Sequence, residues 1–323
     1  MLLFIFCASS YSHFNDYVNG PYVEYTGIVP EALSGKNIWI HKTEFILMRK
    51  TCITHTIGDG VLVVERSSFS ECISSTPGGA LRFIGKSCFL RSVCGSKCYH
   101  TSVGSDGMFS HMSSNSGVLS FNFSTIVNCP PILFDRYEAP INMHQGIQYF
   151  VESNSSSNYV ATRSCLCTIG GISCLMAFSS IMDSYGSNFG LIGIYSSKFN
   201  MEYSNIWNNS QGQRDYGLIF QISNNPQTQI SDCAFGNNEV INGFPLFFAS
   251  SGNIAVVRSS FNMPFTHSGA VNIQTTLWQG TKCIAHQNVG YCIENIPFLA
   301  QHSFQGDYLF KKMTLFVVLQ CMF

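Results

Sequence analysis

Val64-Glu65-Arg66-Ser67-Ser68-Phe69 returns late in the chain as Val256-Val257-Arg258-Ser259-Ser260-Phe261, with five of the six positions identical. The first copy runs on into Ser70-Glu71-Cys72. Sliding the extended phrase along the sequence recovers a degenerate motif: a small residue, an apolar residue two places later, and Cys or Asn three places after that. Ser124-Thr125-Ile126-Val127-Asn128-Cys129, Ser204-Asn205-Ile206-Trp207-Asn208-Asn209 and Cys233-Ala234-Phe235-Gly236-Asn237-Asn238 match it. Ser87-Cys88-Phe89 and Ser179-Ser180-Ile181 are weaker copies. An earlier one lies 24 residues before the first, where Ile38, Ile40, Lys42, Thr43 and Phe45 anticipate Leu62, Val64, Arg66, Ser67 and Phe69.

The apolar residues of these copies keep a period in the twenties: Phe45 to Phe69 is 24, Phe69 to Phe89 is 20, Ile181 to Ile206 is 25, Ile206 to Phe235 is 29 and Phe235 to Phe261 is 26. The 192 residues from Phe69 to Phe261 equal eight intervals of 24. A second beat follows, in which Gly leads a short apolar stretch, as in Gly79-Ala80-Leu81, Gly190-Leu191-Ile192, Gly217-Leu218-Ile219, Gly243-Phe244 and Gly269-Ala270-Val271. Such a period fits a leucine-rich repeat or a β-solenoid. Leucine is sparse at fixed positions and no unit has room for an amphipathic helix, so the reading is all-β, with two or three short parallel strands per coil and corners of Gly, Asn and Ser. Ile38 and Ile40, Leu62 and Val64, and Ile254 and Val256 are expected to point inward, with Phe45, Phe69 and Phe261 filling the lumen. Like residues should then stack about 4.8 Å apart, and Asn209 with Asn238 is the expected asparagine pair. Adjacent coils also bring cysteines within disulfide range, with Cys72 and Cys94 as the expected bond.

Composition agrees. Only 11% of the 323 residues are charged, against about 25% in ordinary proteins, and Ser, Asn and Gly favour turns where Phe, Tyr, Ile and Val favour strands. A net charge of −1 with scattered basic residues leaves no footprint for nucleic acid. Fourteen cysteines point to an oxidising compartment. Leu2-Leu3-Phe4-Ile5-Phe6-Cys7-Ala8 followed by Ser9-Ser10-Tyr11-Ser12 reads as a brief secretory signal over residues 1–12. Asn122-Phe123-Ser124, Asn154-Ser155-Ser156 and Asn208-Asn209-Ser210 are candidate N-glycosylation sites at Asn122, Asn154 and Asn208.

Gly78-Gly79-Ala80-Leu81 resembles the GGA-[ILV] tetrapeptide, and Phe235-Gly236-Asn237-Asn238 the FxxN tetrapeptide, of the polymorphic outer-membrane proteins of intracellular bacteria. Phe69-Ser70-Glu71-Cys72, with Cys for Asn, is similar to the surface protein families of parasitic protists. The resemblance covers about residues 37–275 and implies a right-handed parallel β-helix of the pectin-lyase-like type. The bacterial proteins end in a membrane barrel, for which the sequence after residue 276 is too short, so an autotransporter role is not implied.

Residues 13–36, rich in Tyr, Pro and Gly, read as an N-terminal cap, residues 37–275 as the solenoid, and residues 276–323 as a C-terminal cap or tail. Met313–Phe323 is apolar over 11 residues, short of the roughly 17 to 25 that span a bilayer. A capping strand and a remnant membrane anchor both fit it, and Lys311-Lys312 stands on the wrong side for a stop-transfer signal. Parallel β-helices host polysaccharide lyases and glycoside hydrolases, which need positioned carboxylates. The closest acidic pair, Asp135 and Glu138, reads equally as a solvated loop. Cys94-Gly95-Ser96-Lys97-Cys98-Tyr99-His100 has metal-ligand character but no second ligand pair at zinc-finger spacing. Gly170-Gly171 and Gly190-Leu191-Ile192-Gly193 lack the context of a phosphate loop, and His55, His111, His144, His267 and His286 are isolated in sequence. No catalytic, cofactor or metal residue is therefore assigned. The expectation is a secreted or surface-displayed, non-catalytic solenoid with membrane association left open, contacting host or cell-surface macromolecules or glycans. A polysaccharide lyase or glycoside hydrolase on the same scaffold is the alternative.

Overall fold

The computed structural model describes residues 20–274 except 30–32, 103–106, 131–138, 161–165, 187–189, 213–216, 222–226, 241–244 and 265. Among these residues every regular element is a strand and the sheets are parallel. Parallel neighbours need a crossover, and here the remainder of the coil supplies it, so the chain winds as a parallel β-solenoid. The coil that begins at Leu81 has four strands, Leu81–Ile84, Ser87–Arg91, Cys94–Ser96 and Tyr99–His100. Equivalent strands of successive coils stack into four series. The first two merge into an 18-stranded sheet, because Phe247–Val257 runs through both, and the third forms a nine-stranded sheet. The fourth consists of two-residue strands in two short ladders. The segment expected as N-terminal cap already contributes a second-series strand, Val23–Thr26, paired with Asn37–His41. The last described strand is His267–Gln274, and residues 1–12 and 276–323 lie outside the described residues.

The repeated phrase is the corner between the second and third series. Its left-handed residue is Lys42, Arg66, Ser92, Phe123 or Glu152 in the first five coils and Phe178, Tyr203, Asp232 or Arg258 in the next four, with φ of 47 to 54°. The residue after it turns inward and carries a small polar side chain. Ser179 Oγ donates to Ala177 O at 2.8 Å and accepts the N–H of Ser153 at 3.1 Å. Ser153 Oγ likewise accepts from Ser124 N at 3.1 Å, and Ser204 Oγ from Ser179 N at 3.2 Å. A buried N–H needs an acceptor, and a hydroxyl on the next coil provides one wherever serine holds the place, as Ser67 does for Thr43 and Ser124 for Val93. Four residues into the third series comes a second left-handed corner, followed by the Cys or Asn of the motif. There Asn238 Oδ1 accepts from both the backbone N–H of Asn209 at 3.1 Å and its Nδ2 at 3.0 Å, which is the asparagine pair expected from sequence.

Side chains alternate along each strand, and the inward set forms one continuous lumen. Ile38, Ile40, Leu62, Val64, Ile254 and Val256 are buried in it, together with Phe45, Phe69 and Phe261. Phe45 stacks on Phe69 with centroids 4.7 Å apart, and Phe235 on Phe261 at 5.0 Å. The register corrects one step of the sequence reading. Phe69 is followed by Gly95, whereas Phe89 belongs to the second series and pairs with Val63. That coil carries Val93 in the small-polar place and Gly95 in the aromatic place, which makes its copy of the motif illegible. Gly95 leaves room for the Phe109 ring, which meets Phe69 edge-on at 5.6 Å. The path from Phe69 to Phe261 runs through Gly95, Ile126, Ser155, Ile181, Ile206 and Phe235. It therefore takes seven steps of 25 to 31 residues, not eight of 24.

Two substitutions test this account by denaturant unfolding. Ser179→Ala strands the corner N–H of Ser153 and should lower stability by about 1–3 kcal/mol. Gly95→Ala drives a Cβ into the Phe109 ring and toward Ile126 Cδ1 at 2.9 Å, and should cost about 1–3 kcal/mol by overpacking. A midpoint unchanged in either variant contradicts the packing described.

Candidate functional site

The five-residue strands of the second series, such as Asn37–His41, Val61–Glu65 and Ser87–Arg91, present a ladder of outward side chains. Its central column runs in register through Trp39, Val63, Phe89, Ser120, Tyr149 and Leu175. Val61 and Val63 are buried beneath Trp39 and Phe89, so a second apolar cluster sits outside the lumen. At the N-terminal end this column becomes polar. The Trp39 indole stacks on His41 with centroids 4.5 Å apart, meets Tyr22 edge-on at 6.0 Å, and donates Nε1–H to Glu65 Oε2 at 3.3 Å. His41 Nε2 lies 2.7 Å from both Glu24 Oε1 and Thr26 Oγ1. Parallel stacking explains the cluster: Glu24 is in register with Trp39, and Thr26, His41 and Glu65 follow one another on successive strands.

The left-handed corners form a ridge along one margin of this surface. A left-handed backbone costs a side chain with a Cβ about 1 kcal/mol or more, and bulky residues there are outliers. Yet the ridge holds Phe123, Phe178 and Tyr203, with 43%, 43% and 39% of their surface exposed. Phe178 and Tyr203 stack with rings 5.1 Å apart and nearly parallel. The Arg91 guanidinium lies 5.6 Å from the centroid of the Phe123 ring, which ties the ridge to the sheet edge. Farther along, Arg258 makes a two-pronged pair with Asp232, Nε to Oδ1 at 2.8 Å and Nη2 to Oδ2 at 2.6 Å. Exposed aromatic rings flanked by hydrogen-bonding and charged side chains suit a ligand with apolar faces and many hydroxyls.

The residues singled out from sequence fall elsewhere. Cys72 lines the lumen with a free thiol, and Cys94 is disulfide-bonded to another residue. The register explains why they do not pair: Cys94 is in line with Ser68 and, next to inward Gly95, faces out, whereas the residue beside Cys72 is Cys98. The left-handed corner at Lys97 changes the parity and separates Cys94 from Cys98, and His100 Nδ1 bonds Ser102 Oγ at 2.8 Å. Among the described residues no three metal-ligating side chains converge. Of the sequons, Asn208 is exposed, with Nδ2 donating to Asp183 Oδ1 at 2.6 Å, Asn122 is half-buried, and Asn154 is buried. His111 and His144, isolated in sequence, are brought together with ring centroids 5.1 Å apart. His267 is exposed, while Asp135, Glu138 and His286 lie outside the described residues. Sequence reasoning passed over Trp39, His41, Glu24 and the aromatic ridge. The ridge had a signal: Phe123, Phe178 and Tyr203 each stand three places before an apolar residue of the motif.

His55 gives the fold a pH dependence. It is buried, stacks on Phe83 at 5.9 Å, and its Nε2 bonds Lys36 O at 3.1 Å. Burial holds its imidazole below the usual range. The unfolded chain takes up a proton near pH 6.5 that the folded one resists, so stability is full above that value and falls as the pH drops through it toward the lower folded value. His55→Gln, which keeps a donor for Lys36 O, should flatten the loss between pH 7.5 and 5 measured by urea midpoints. An undiminished pH slope in the variant would assign the effect to other groups.

Comparison of the chain with known family models, curated proteins and solved structures finds no match.

Proposed function

We propose that this protein is a secreted or cell-surface β-solenoid that binds cell-surface macromolecules, glycans foremost, without catalysing their conversion. The observation that carries the reading is the exposed aromatic ridge. Phe123, Phe178 and Tyr203 occupy left-handed corners where Asn or Gly would be less strained, as Asn128, Asn208 and Asn237 are at the second corner. Strain and exposed apolar area held together in one place support a contact surface. Right-handed winding of the pectin-lyase-like kind fits the usual sense of parallel crossovers. Residence in the secretory route rests on the apolar start of the chain and its sequons; the cysteines are divided, with Cys94 disulfide-bonded while Cys52, Cys72, Cys88, Cys98, Cys129, Cys174 and Cys233 carry free thiols.

A carbohydrate-active enzyme on the same scaffold is favoured by one feature, the Glu24–His41–Trp39–Glu65 constellation, where two carboxylates flank an indole–imidazole stack. Carboxylates beside an aromatic platform are the parts a glycosidase uses.

Retention of purified protein on arrayed host glycans and on polygalacturonate, with absorbance of unsaturated product and release of new reducing ends followed in parallel, separates the two. Binding without product is expected, and the Phe178→Ser/Tyr203→Ser double variant should bind about tenfold more weakly, a loss of about 1.4 kcal/mol. Product formation, or retention untouched by the double variant, overturns the contact reading. Secreted from a eukaryotic host, the protein should carry glycan at Asn208 and none at Asn154 in a glycopeptide map. An occupied Asn154 would contradict its burial.

A further inference from the structure

The near-zero net charge conceals a polarity along the axis. Residues 36–97 hold nine of the 17 basic residues and four of the 18 acidic ones, a surplus of five positive charges, while the remainder of the chain has a surplus of six negative ones. Along the sequence these cations are scattered, but winding gathers them into three coils, whose strands Asn37–His41, Val61–Glu65 and Ser87–Arg91 stack in register. At about 4.8 Å per layer, the three strands occupy about 10 Å of the axis.

Two rows of cations border the outward face of these strands. On the ridge, Lys42 and Arg66 hold exposed left-handed corners on adjacent coils, and Arg91, half-buried, ends the strand of the third. On the opposite margin, Lys36 and Lys86 immediately precede Asn37 and Ser87, two coils apart, and both are exposed. Six residues of extended chain separate the rows, about 20 Å. Between them lie the half-buried rings of Trp39 and Phe89 over Val61 and Val63. The acidic groups here are held within the face: Glu65 Oε2 accepts the Trp39 indole N–H, Glu24 Oε1 lies 2.7 Å from His41 Nε2, and Asp59 pairs with Lys36. Lys42 and Arg66, like the aromatic residues farther along, stand in backbone conformations that Asn or Gly would adopt with less strain.

We propose that this face binds a sulfated glycan laid along the solenoid axis, an inference that rests on the glycan-binding reading above and supplies the charge of the ligand. Aromatic side chains at the surface suit the apolar faces of sugar rings, and the cations suit anionic substituents, with the planar forks of Arg66 and Arg91 matched to oxyanions. Cations on both margins call for anions on both edges of the ligand. Sulfate esters form on hydroxyls all round a sugar ring, so a sulfated chain presents charge to both rows at once, whereas the carboxylate of a uronic acid is confined to one carbon of each ring. Nucleic acid also joins negative charge to flat rings, but a protein of the secretory route meets glycans in its own compartment.

Retention of the full-length protein on immobilised heparin, on heparin chemically stripped of its sulfates, and on single-stranded DNA tests this across a salt gradient. Heparin should hold the protein, with affinity falling as salt rises, and the stripped heparin and the DNA should hold it less. Lys42→Asn/Arg66→Asn places a residue suited to the left-handed corner at both positions, so the fold is kept, and heparin affinity should drop about tenfold. Lys86→Gln should elute at lower salt, while Lys198→Gln, farther along the same sheet, should elute with the unaltered protein. Equal retention on stripped heparin or on DNA, or a Lys42→Asn/Arg66→Asn variant held as firmly as the unaltered chain, overturns the proposal. Retention on neutral glycans without retention on heparin overturns it alone, and retention on no glycan of either kind overturns the reading beneath it as well.

Discussion

Stacking in register is the constraint on which the molecule depends. Once each coil lies directly above the last, every backbone group at a corner must find its partner one layer away or stay buried without one. Parallel ladders satisfy the strands, but a corner interrupts the ladder and leaves an N–H behind. The serine series answers this in most layers with a hydroxyl that donates backward along its own coil and accepts from the coil before. Where Cys233 replaces serine, its sulfur donates to Ser231 O at 3.2 Å, so the backward bond survives with a weaker group. An unmade bond of this kind costs about 1–3 kcal/mol, and repetition makes the corner the least replaceable part of the coil.

The lumen obeys a looser rule. It must be filled, but any neighbour can fill it. Phe45 on Phe69 and Phe235 on Phe261 are direct stacks, whereas at Gly95 the ring arrives from Phe109, two strands further along the chain. Ser155 holds the same place two layers on, and there Asn158 Nδ2 bonds its hydroxyl at 2.9 Å. Dense packing with several solutions explains why the aromatic beat of the sequence fades in the middle coils while the fold continues unbroken.

This difference decides what could be read from sequence. The small residue and the Cys or Asn of the motif mark hydrogen-bonding positions with one geometric solution, and Ser67, Ser124, Ser179, Ser204 and Asn209 were legible for that reason. The coil holding Val93 and Gly95 breaks both signals at once, so Ser87-Cys88-Phe89 stands in its place in the sequence reading, while dividing 192 by 24 gives one interval too many because the coils between are longer than 24 residues. Inward strand residues such as Ile38 and Val256 followed from alternation alone. The surface was another matter. Trp39 and His41 are two places apart on one strand, but Glu24 lies 17 residues before His41, and only the register of Val23–Thr26 with Asn37–His41 brings it to them. Cysteine pairing failed for a related reason, because a one-residue change of parity turns Cys94 outward and Cys98 inward.

Strand starts in the second and third series keep a fixed interval, from Asn37 to Glu44, Val61 to Ser68 and Lys198 to Asn205, while the interval from a fourth-series strand to the next first-series strand varies, as between Ser74 and Leu81 and between His100 and Ser110. Half of each turn is thus metrically frozen and half is elastic. Descendants of such a gene could lengthen or shorten the elastic half by insertion and deletion without disturbing the hydroxyl relay, and successive changes would accumulate along a single flank. Diversification and structural memory are thereby assigned to opposite sides of the same spiral.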